Sequence, residues 1–203
     1  MKKTVAVIMY EGFQTQDAMG PIEVLGDLVD LVEIRCVSLK GGLLKTYQGV
    51  PVMTEPMDQV PNPDIVVIPG GRATFEVMND PEFIGKVRSY VESAEYCLTV
   101  CTGSLIVAAA GLLDGRPATT NKSVYEMVTP NFPKVEWKRK ARWVKSGKFY
   151  TSSGVTAGID MAFDFVKDIF GEEAAQASSY EMEYQIMSDP DNDPFFDCPQ
   201  LQL

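Results

Sequence analysis

Two rhythms of apolar residues alternate along the chain. Short continuous runs bounded by turn residues predict buried strands at Thr4 to Met9, Val32 to Leu39, Ile65 to Ile68 and from Tyr96 up to Cys101. Between them, apolar positions recur at helical spacing: Ile22, Leu25, Leu28 and Val29 within Ala18 to Leu31, and a second set within Phe83 to Ala94. Leu43 to Tyr47 and Val50 to Thr54 predict a small hairpin. Further along, Ala118-Thr119-Thr120 reads as a short strand, Val124 to Val128 as a brief helix, and Phe149 to Ser152 as another strand. Ala157 to Phe170 carries Ile159, Ala162, Phe163, Val166 and Ile169 on one helical face, and Glu172 to Met187 predicts the last helix. From about residue 188 the prolines and acids of Asp189 to Leu203 predict an irregular tail.

Strand and helix units in alternation predict an α/β protein. The expected fold is a flavodoxin-like three-layer sandwich with a mainly parallel central sheet, and residues 1–203 are expected to form one domain. No repeat, linker or low-complexity block divides the chain. In such folds the ligand crevice lies beyond the carboxyl ends of the strands, where Pro69-Gly70-Gly71 and Cys101 would meet.

Charge and cysteine content narrow the functional classes. A net charge of −10 should repel nucleic acid and anionic membranes, and the local basic run from Lys134 to Lys148 is expected to form a hairpin, its charges on the solvated faces of two exposed strands. The longest apolar runs are too short to span a bilayer, and Met1-Lys2-Lys3 leads straight into a strand pattern, so a cytoplasmic protein is expected. Cys36, Cys97, Cys101 and Cys198 have no C-x-x-C spacing and the chain has no histidine, so no metal site is expected and the thiols should be reduced.

Cys101 stands apart from the other three. It sits where an apolar strand turns into the small-residue stretch Thr102 to Gly111, a strand-to-helix elbow whose helix N–H groups should favour thiolate over thiol. Without histidine, the acid/base partner of this cysteine must be sought among carboxylates.

Several motifs together resemble the DJ-1/PfpI superfamily: Ile68-Pro69-Gly70-Gly71, Val100-Cys101-Thr102-Gly103-Ser104, Gly111 to Arg116 with Ala118-Thr119-Thr120, and Ser153 to Asp160. Asp17 to Val24 and Asp193 to Asp197 resemble the isonitrile hydratase branch, and closely similar sequence forms the ligand-sensing half of some AraC-type activators. The resemblance implies a class I glutamine amidotransferase-like sandwich with Cys101 as nucleophile, Asp17 as the acidic residue beside it and Thr102 adjoining. It implies backbone N–H groups of Gly71 and Thr102 at an oxyanion hole, with Gly70 beside them, Gly154 and Val155 lining the pocket opposite Cys101, and a homodimer. A small-molecule substrate and no organic cofactor are implied.

Asp17 could instead cap the helix expected near Ala18. Superfamily proteases, amidases and glyoxalases commonly carry a histidine where Asn121 stands, and Asn121 cannot take a proton. Peptidase and glyoxalase chemistry are therefore weakened, and hydration of an isocyanide to an N-substituted formamide is the leading expectation. A redox or small-molecule sensor and a DJ-1-type chaperone or carbonyl-damage repair protein are the alternatives. Met19, Phe13, Tyr125 and Tyr184 are expected, by placement, to set pocket size.

Overall fold

A computed structural model describes residues 1–200. Its main sheet is built first from β1 (Lys3–Ile8), β2 (Val32–Ser38), the hairpin β3 (Gly42–Lys45) and β4 (Pro51–Pro56), β5 (Ile65–Ile68) and β6 (Tyr96–Thr99). The segment Val5 to Met9 and all of β5 are fully buried, as expected of strands covered on both faces. Helix α1 (Thr15–Gly26) follows β1; α2 (Thr74–Val77) and α3 (Pro81–Ser93) connect β5 to β6; α4 (Gly103–Ala109) follows β6. The remaining elements are β7 (Pro117–Ala118), α5 (Tyr125–Val128), β8 (Glu136–Trp137), β9 (Trp143–Ser146), β10 (Phe149–Ser152), α6 (Ala157–Phe170) and α7 (Glu172–Glu181).

Strand order in the main sheet is β3-β4-β2-β1-β5-β6-β10-β9, with antiparallel pairs at the two edges, β3 with β4 and β9 with β10, and parallel pairs between. This is the flavodoxin-like arrangement anticipated from the sequence. The chain runs from β1 to β2 on one side and returns to β5 on the other, so the carboxyl ends of β1 and β5 open a crevice at the switch in strand order.

Two expectations about the basic region need correction. Strands β8 and β9 do not pair with each other: β8 joins β7 in a separate two-stranded sheet, while β9 makes a hairpin with β10 across Gly147. Nor is the whole run solvated. Arg142 is buried and donates to Asp160 Oδ2 from Nε at 2.8 Å and from Nη2 at 2.6 Å. A buried guanidinium is tolerated because a carboxylate and hydrogen bonds replace its water. The last helix is also shorter than its periodicity predicts, ending at Glu181.

The segment after Met187 is irregular in backbone and tightly held. Arg142 N donates to Pro190 O, Asp193 N to Lys140 O, and Gln200 Nε2 to Lys122 O, and Asp193 is buried beside Arg142 and Lys122. It forms a strap across β9 and the Lys122–Val128 region, and Phe196 O accepts from Arg139 Nε at 3.0 Å.

Glycine at 103 is dictated by space. A Cβ there would lie 2.2 Å from Ile68 O and 3.0 Å from Pro69 O, both backbone atoms that cannot move without disturbing the end of β5. Gly103→Ala should therefore destabilise the protein by about 1–3 kcal/mol, as overpacking against fixed atoms does. Denaturant unfolding measures this, and a change within error would mean that the elbow has slack.

Candidate active site at the carboxyl end of the sheet

Strands β5 and β6 pair with Ile68 opposite Thr99, so the loops that follow them emerge side by side. One loop carries Gly70 and Gly71, the other Cys101. Cys101 has φ of 58°, a left-handed conformation that costs an L-residue roughly 1–2 kcal/mol and is held by its surroundings. Its N–H donates to Ser153 O at 2.9 Å, and its carbonyl accepts from Thr120 Oγ1 at 3.1 Å and Ser104 Oγ at 3.2 Å. These bonds fix the backbone of a strained residue, which aims the thiol into the crevice.

Asp17 reaches the same point from α1. The helix starts at Thr15, so Asp17 lies in its first turn and is not its cap. Its carboxylate crosses to the neighbouring loop, where Oδ2 accepts from Gly70 N at 3.0 Å. Oδ1 has no hydrogen-bond partner of ordinary geometry among the described residues, and the Cys101 thiol beside the carboxyl is the side chain that helps hold its pKa down. Fully enclosed, Asp17 is pushed by burial from its ordinary value of 3.8 up to about 7, against the opposing pull of the Gly70 N–H and the thiol. Gly20 lets α1 lie close to α6, since a Cβ there would stand 2.8 Å from Ile159 Cγ1.

On the other side of the sulfur stands Asn121, whose Nδ2 donates to Cys101 Sγ at 3.2 Å. Its orientation is forced, because Oδ1 accepts from Ser123 N at 2.8 Å and Ser123 Oγ at 2.5 Å, leaving only the NH2 end for the sulfur. Sequence reasoning identified Asn121 only as a residue unable to take a proton. The signal for its role was the Asn-x-Ser spacing, which favours an Asx turn that locks the amide.

The thiol itself departs from expectation. Burial first, then the charge of Asp17, push Cys101 well above the ordinary thiol value, and the Thr102 backbone N–H, the Asn121 amide and the Thr102 side chain offset them in part. A helix of seven residues beginning two positions away does not outweigh desolvation. In the resting site the thiol therefore keeps its proton, and the carboxyl beside it is held toward its neutral form.

The oxyanion expectation is corrected in one respect. Gly71 N donates to Thr102 Oγ1 at 2.9 Å and Gly70 N is taken by Asp17, so neither glycine offers a free donor. Thr102 Oγ1 also lies 3.0 Å from Thr74 Oγ1, which lies 2.9 Å from Tyr10 Oη, whose proton goes to Pro69 O. The Thr102 hydroxyl thus braces the loop after β5, while its backbone N–H faces the sulfur.

A cleft of about 170 Å³ opens over Cys101, walled by Gln14, Arg72, Phe75, Val124 and Val155, with Asn121 at its edge. Gly154 is displaced from its expected place and lines a neighbouring cleft. Of the residues expected to set pocket size, none lines the cleft: Phe13 is in the core and Tyr184 stacks on Phe163. Among the described residues no group of three His, Cys, Asp or Glu converges as a metal site, and no helix is long and apolar enough to cross a membrane.

Comparison with known proteins agrees with this architecture. The DJ-1/PfpI family model matches residues 3–168. An isonitrile hydratase of Pseudomonas putida is 31% identical over 185 residues, covering 91% of this chain and 79% of that protein. The protein dj-1beta of Drosophila melanogaster is 24% identical over 181 residues, covering 87% of this chain and 94% of that one. A solved ThiJ/PfpI family protein from Pseudomonas syringae superposes with a TM-score of 0.83 at 27% identity, over 91% of this chain and 76% of its own. With its parallel sheet, its cysteine elbow and these matches, the chain belongs to the DJ-1/PfpI family.

Proposed function

We propose that this protein hydrates isocyanides, R–N≡C, to N-substituted formamides, with Cys101 as nucleophile and Asp17 as the sole proton carrier. The observation that carries the reading is the pairing of a buried carboxyl with the thiol on one side and an amide, where an imidazole would serve other chemistries, on the other. Expelling an amine calls for a general acid beyond this pair, whereas adding water to an isocyanide expels nothing. The similarity to an isonitrile hydratase supports the same choice.

In the first step Asp17 takes the thiol proton as sulfur adds to the terminal carbon, and returns it to that same carbon, giving the thioimidate R–N=CH–S–Cys101. In the second, Asp17 takes a proton from water as the hydroxyl adds to the carbon and passes it to nitrogen. The adduct R–NH–CH(OH)–S–Cys101 then collapses: its hydroxyl proton passes through Asp17 to sulfur, the C–S bond breaks, and R–NH–CHO leaves. A carboxyl with a pKa near 7 is suited to both directions of transfer. The Asn121 N–H supports negative charge on sulfur when the thiolate forms or departs.

The test is formamide formation from a simple aryl isocyanide, followed by absorbance, with the Cys101→Ala variant alongside. Turnover that depends on Cys101 supports the reading; no turnover across a range of alkyl and aryl isocyanides refutes it. Asn121→Leu removes the donor to sulfur with little change in volume. It should lower kcat about tenfold to a hundredfold and raise the pH at which alkylation of Cys101 by iodoacetamide sets in, in line with the loss of one charge-assisted hydrogen bond. An unchanged alkylation profile would remove Asn121 from the mechanism. The reading also carries a homodimer, for which Leu43 and Met53, paired across the β3–β4 edge and exposed, offer apolar surface.

A further inference from the structure

Among the described residues that wall the Cys101 cleft, Arg72 is the only one whose side chain carries a formal charge. It follows Gly71, whose N–H donates to Thr102 Oγ1 at 2.9 Å, so the loop after β5 brings Arg72 to the mouth of the cleft beside the nucleophile's own neighbour. The exposed guanidinium lies over the ring of Tyr47, 5.5 Å from its centroid. Tyr47 is itself fixed, since its N–H donates to Phe13 O at 2.8 Å. The adjoining Gln48 Oε1 accepts from Thr15 N at 3.1 Å and Thr15 Oγ1 at 2.6 Å, which ties this turn to the start of α1.

Stacking engages the flat face of a guanidinium and leaves the N–H groups in its plane free. Arg35, Arg88, Arg139 and Arg142 each pair with a carboxylate, whereas Arg72 has no such partner among the described residues. Gln14, at the start of α1 and in the same wall, likewise makes no side-chain capping bond. The polar groups deeper in the cleft are committed: Asn121 to Cys101 and Ser123, and Ser123 Oγ to Asn121 Oδ1. No carboxylate lines the cleft, and Asp17 is fully enclosed outside its wall. What this mouth lacks is an anion. The net charge of −10 does not oppose one at close range, because at physiological ionic strength exposed charges more than about 8 Å apart are largely screened.

We propose that Arg72 sets the substrate preference of this cleft, and that the preferred isocyanides carry a carboxylate on the substituent R. The inference rests on the hydratase reading above and narrows its substrate class. With the terminal carbon at the Cys101 sulfur, the hydrocarbon part of R has Phe75, Val124 and Val155 to lie against, and its carboxylate meets the in-plane N–H groups of Arg72 with the Gln14 amide in the same wall. The reaction adds one water to such an isocyano carboxylate and yields the N-formyl amino carboxylate, with the charge on R unchanged. Neutral alkyl and aryl isocyanides would react but leave the guanidinium to water.

The experiment takes isocyano carboxylates of increasing length, from isocyanoacetate to isocyanobutanoate, each with its carboxamide, which has the same shape and no charge. The quantity read is the carboxylate-to-carboxamide ratio of kcat/KM in the parent divided by that ratio in Arg72→Gln, in which the intrinsic reactivities of the two compounds cancel. At the best length it should be about three to ten, the range from an exposed ion pair to a charge-assisted hydrogen bond. Arg72→Lys, which keeps the charge but not the planar fork, should retain part of the preference, and raising the salt from about 50 mM to about 500 mM should shrink it in the parent. A ratio that Arg72→Gln leaves within twofold of the parent's at every length overturns the assignment and leaves the hydratase reading in place. If no isocyanide is turned over, the hydratase reading falls and the anion site is read from binding instead. N-formylglycine and N-formylglycinamide are then titrated by NMR: a preference for the acid that Arg72→Gln abolishes supports the site, and equal or absent binding overturns it.

Discussion

Cys101→Ala should cut formamide formation by about 10⁴-fold or more, because it removes the only atom that can form the covalent intermediate and the groups around it act as a unit. The fold should survive. Alanine keeps a Cβ at the same left-handed backbone position, and the N–H and carbonyl bonds to Ser153, Thr120 and Ser104 involve only the backbone of residue 101. Cys101→Ser is the sharper comparison. It preserves a donor toward Asp17 and an acceptor for Asn121, so any loss measures nucleophilicity and not hydrogen bonding. Serine lacks an imidazole to activate it here and should be as inactive as alanine. Activity within tenfold of the parent in either variant would mean that water attacks the isocyanide directly, with the cysteine a bystander.

Asp17→Asn is expected to separate activity from stability. An amide cannot carry the proton, so kcat should fall by about 10²–10⁴-fold, the usual contribution of a positioned acid/base group. Stability should move the other way. Because burial raises the Asp17 pKa from 3.8 to about 7, the folded protein binds this proton more tightly than the unfolded chain does. The stabilising contribution of protonated Asp17 is complete below about pH 4, declines as pH rises toward 7, and is gone above it. Asparagine is neutral throughout and can still accept from the Gly70 N–H, so the variant should be more stable than the parent above pH 7, by on the order of 2–4 kcal/mol. Thermal unfolding between pH 4 and 9 tests this directly. A parent whose midpoint is flat across that range, or a variant that melts lower at pH 8, would show that the carboxyl is not held in its buried, proton-retaining state.

The elements were legible where one periodicity dominates. Strands such as Ile65–Ile68 are apolar on both faces because helices cover both, and α6 keeps its stripe over its whole length. The elbow was legible too, since Cys101 between an apolar strand and Gly103 is a local pattern. What the sequence did not reveal depends on distant residues. The raised pKa of Cys101 comes from enclosure and from Asp17, 84 positions earlier, and no local feature reports either. The commitment of the Gly70 and Gly71 N–H groups depends on Asp17 and Thr102 arriving from two other elements. The basic run was misjudged because composition gives the charge of Arg142 but not its burial partner Asp160, which lies on α6.

The strap has a bearing on when the molecule becomes competent. The wall that presents Asn121 to the sulfur continues into Lys122, whose carbonyl is held by Gln200, 78 positions later, and whose buried ammonium has Asp193 as its nearest carboxylate. At ordinary translation rates those later residues leave the ribosome roughly 4–16 s after Lys122 does. Throughout that interval the nascent chain has Cys101 and Asp17, yet it would have to enclose the Lys122 ammonium without Asp193 beside it, so the Lys122 segment should stay open to solvent. If Cys101 and Asp17 form the catalytic pair proposed above, their synthesis and the onset of reactivity should be separated in time, with the Asn121 amide set against the sulfur only once the strap has docked.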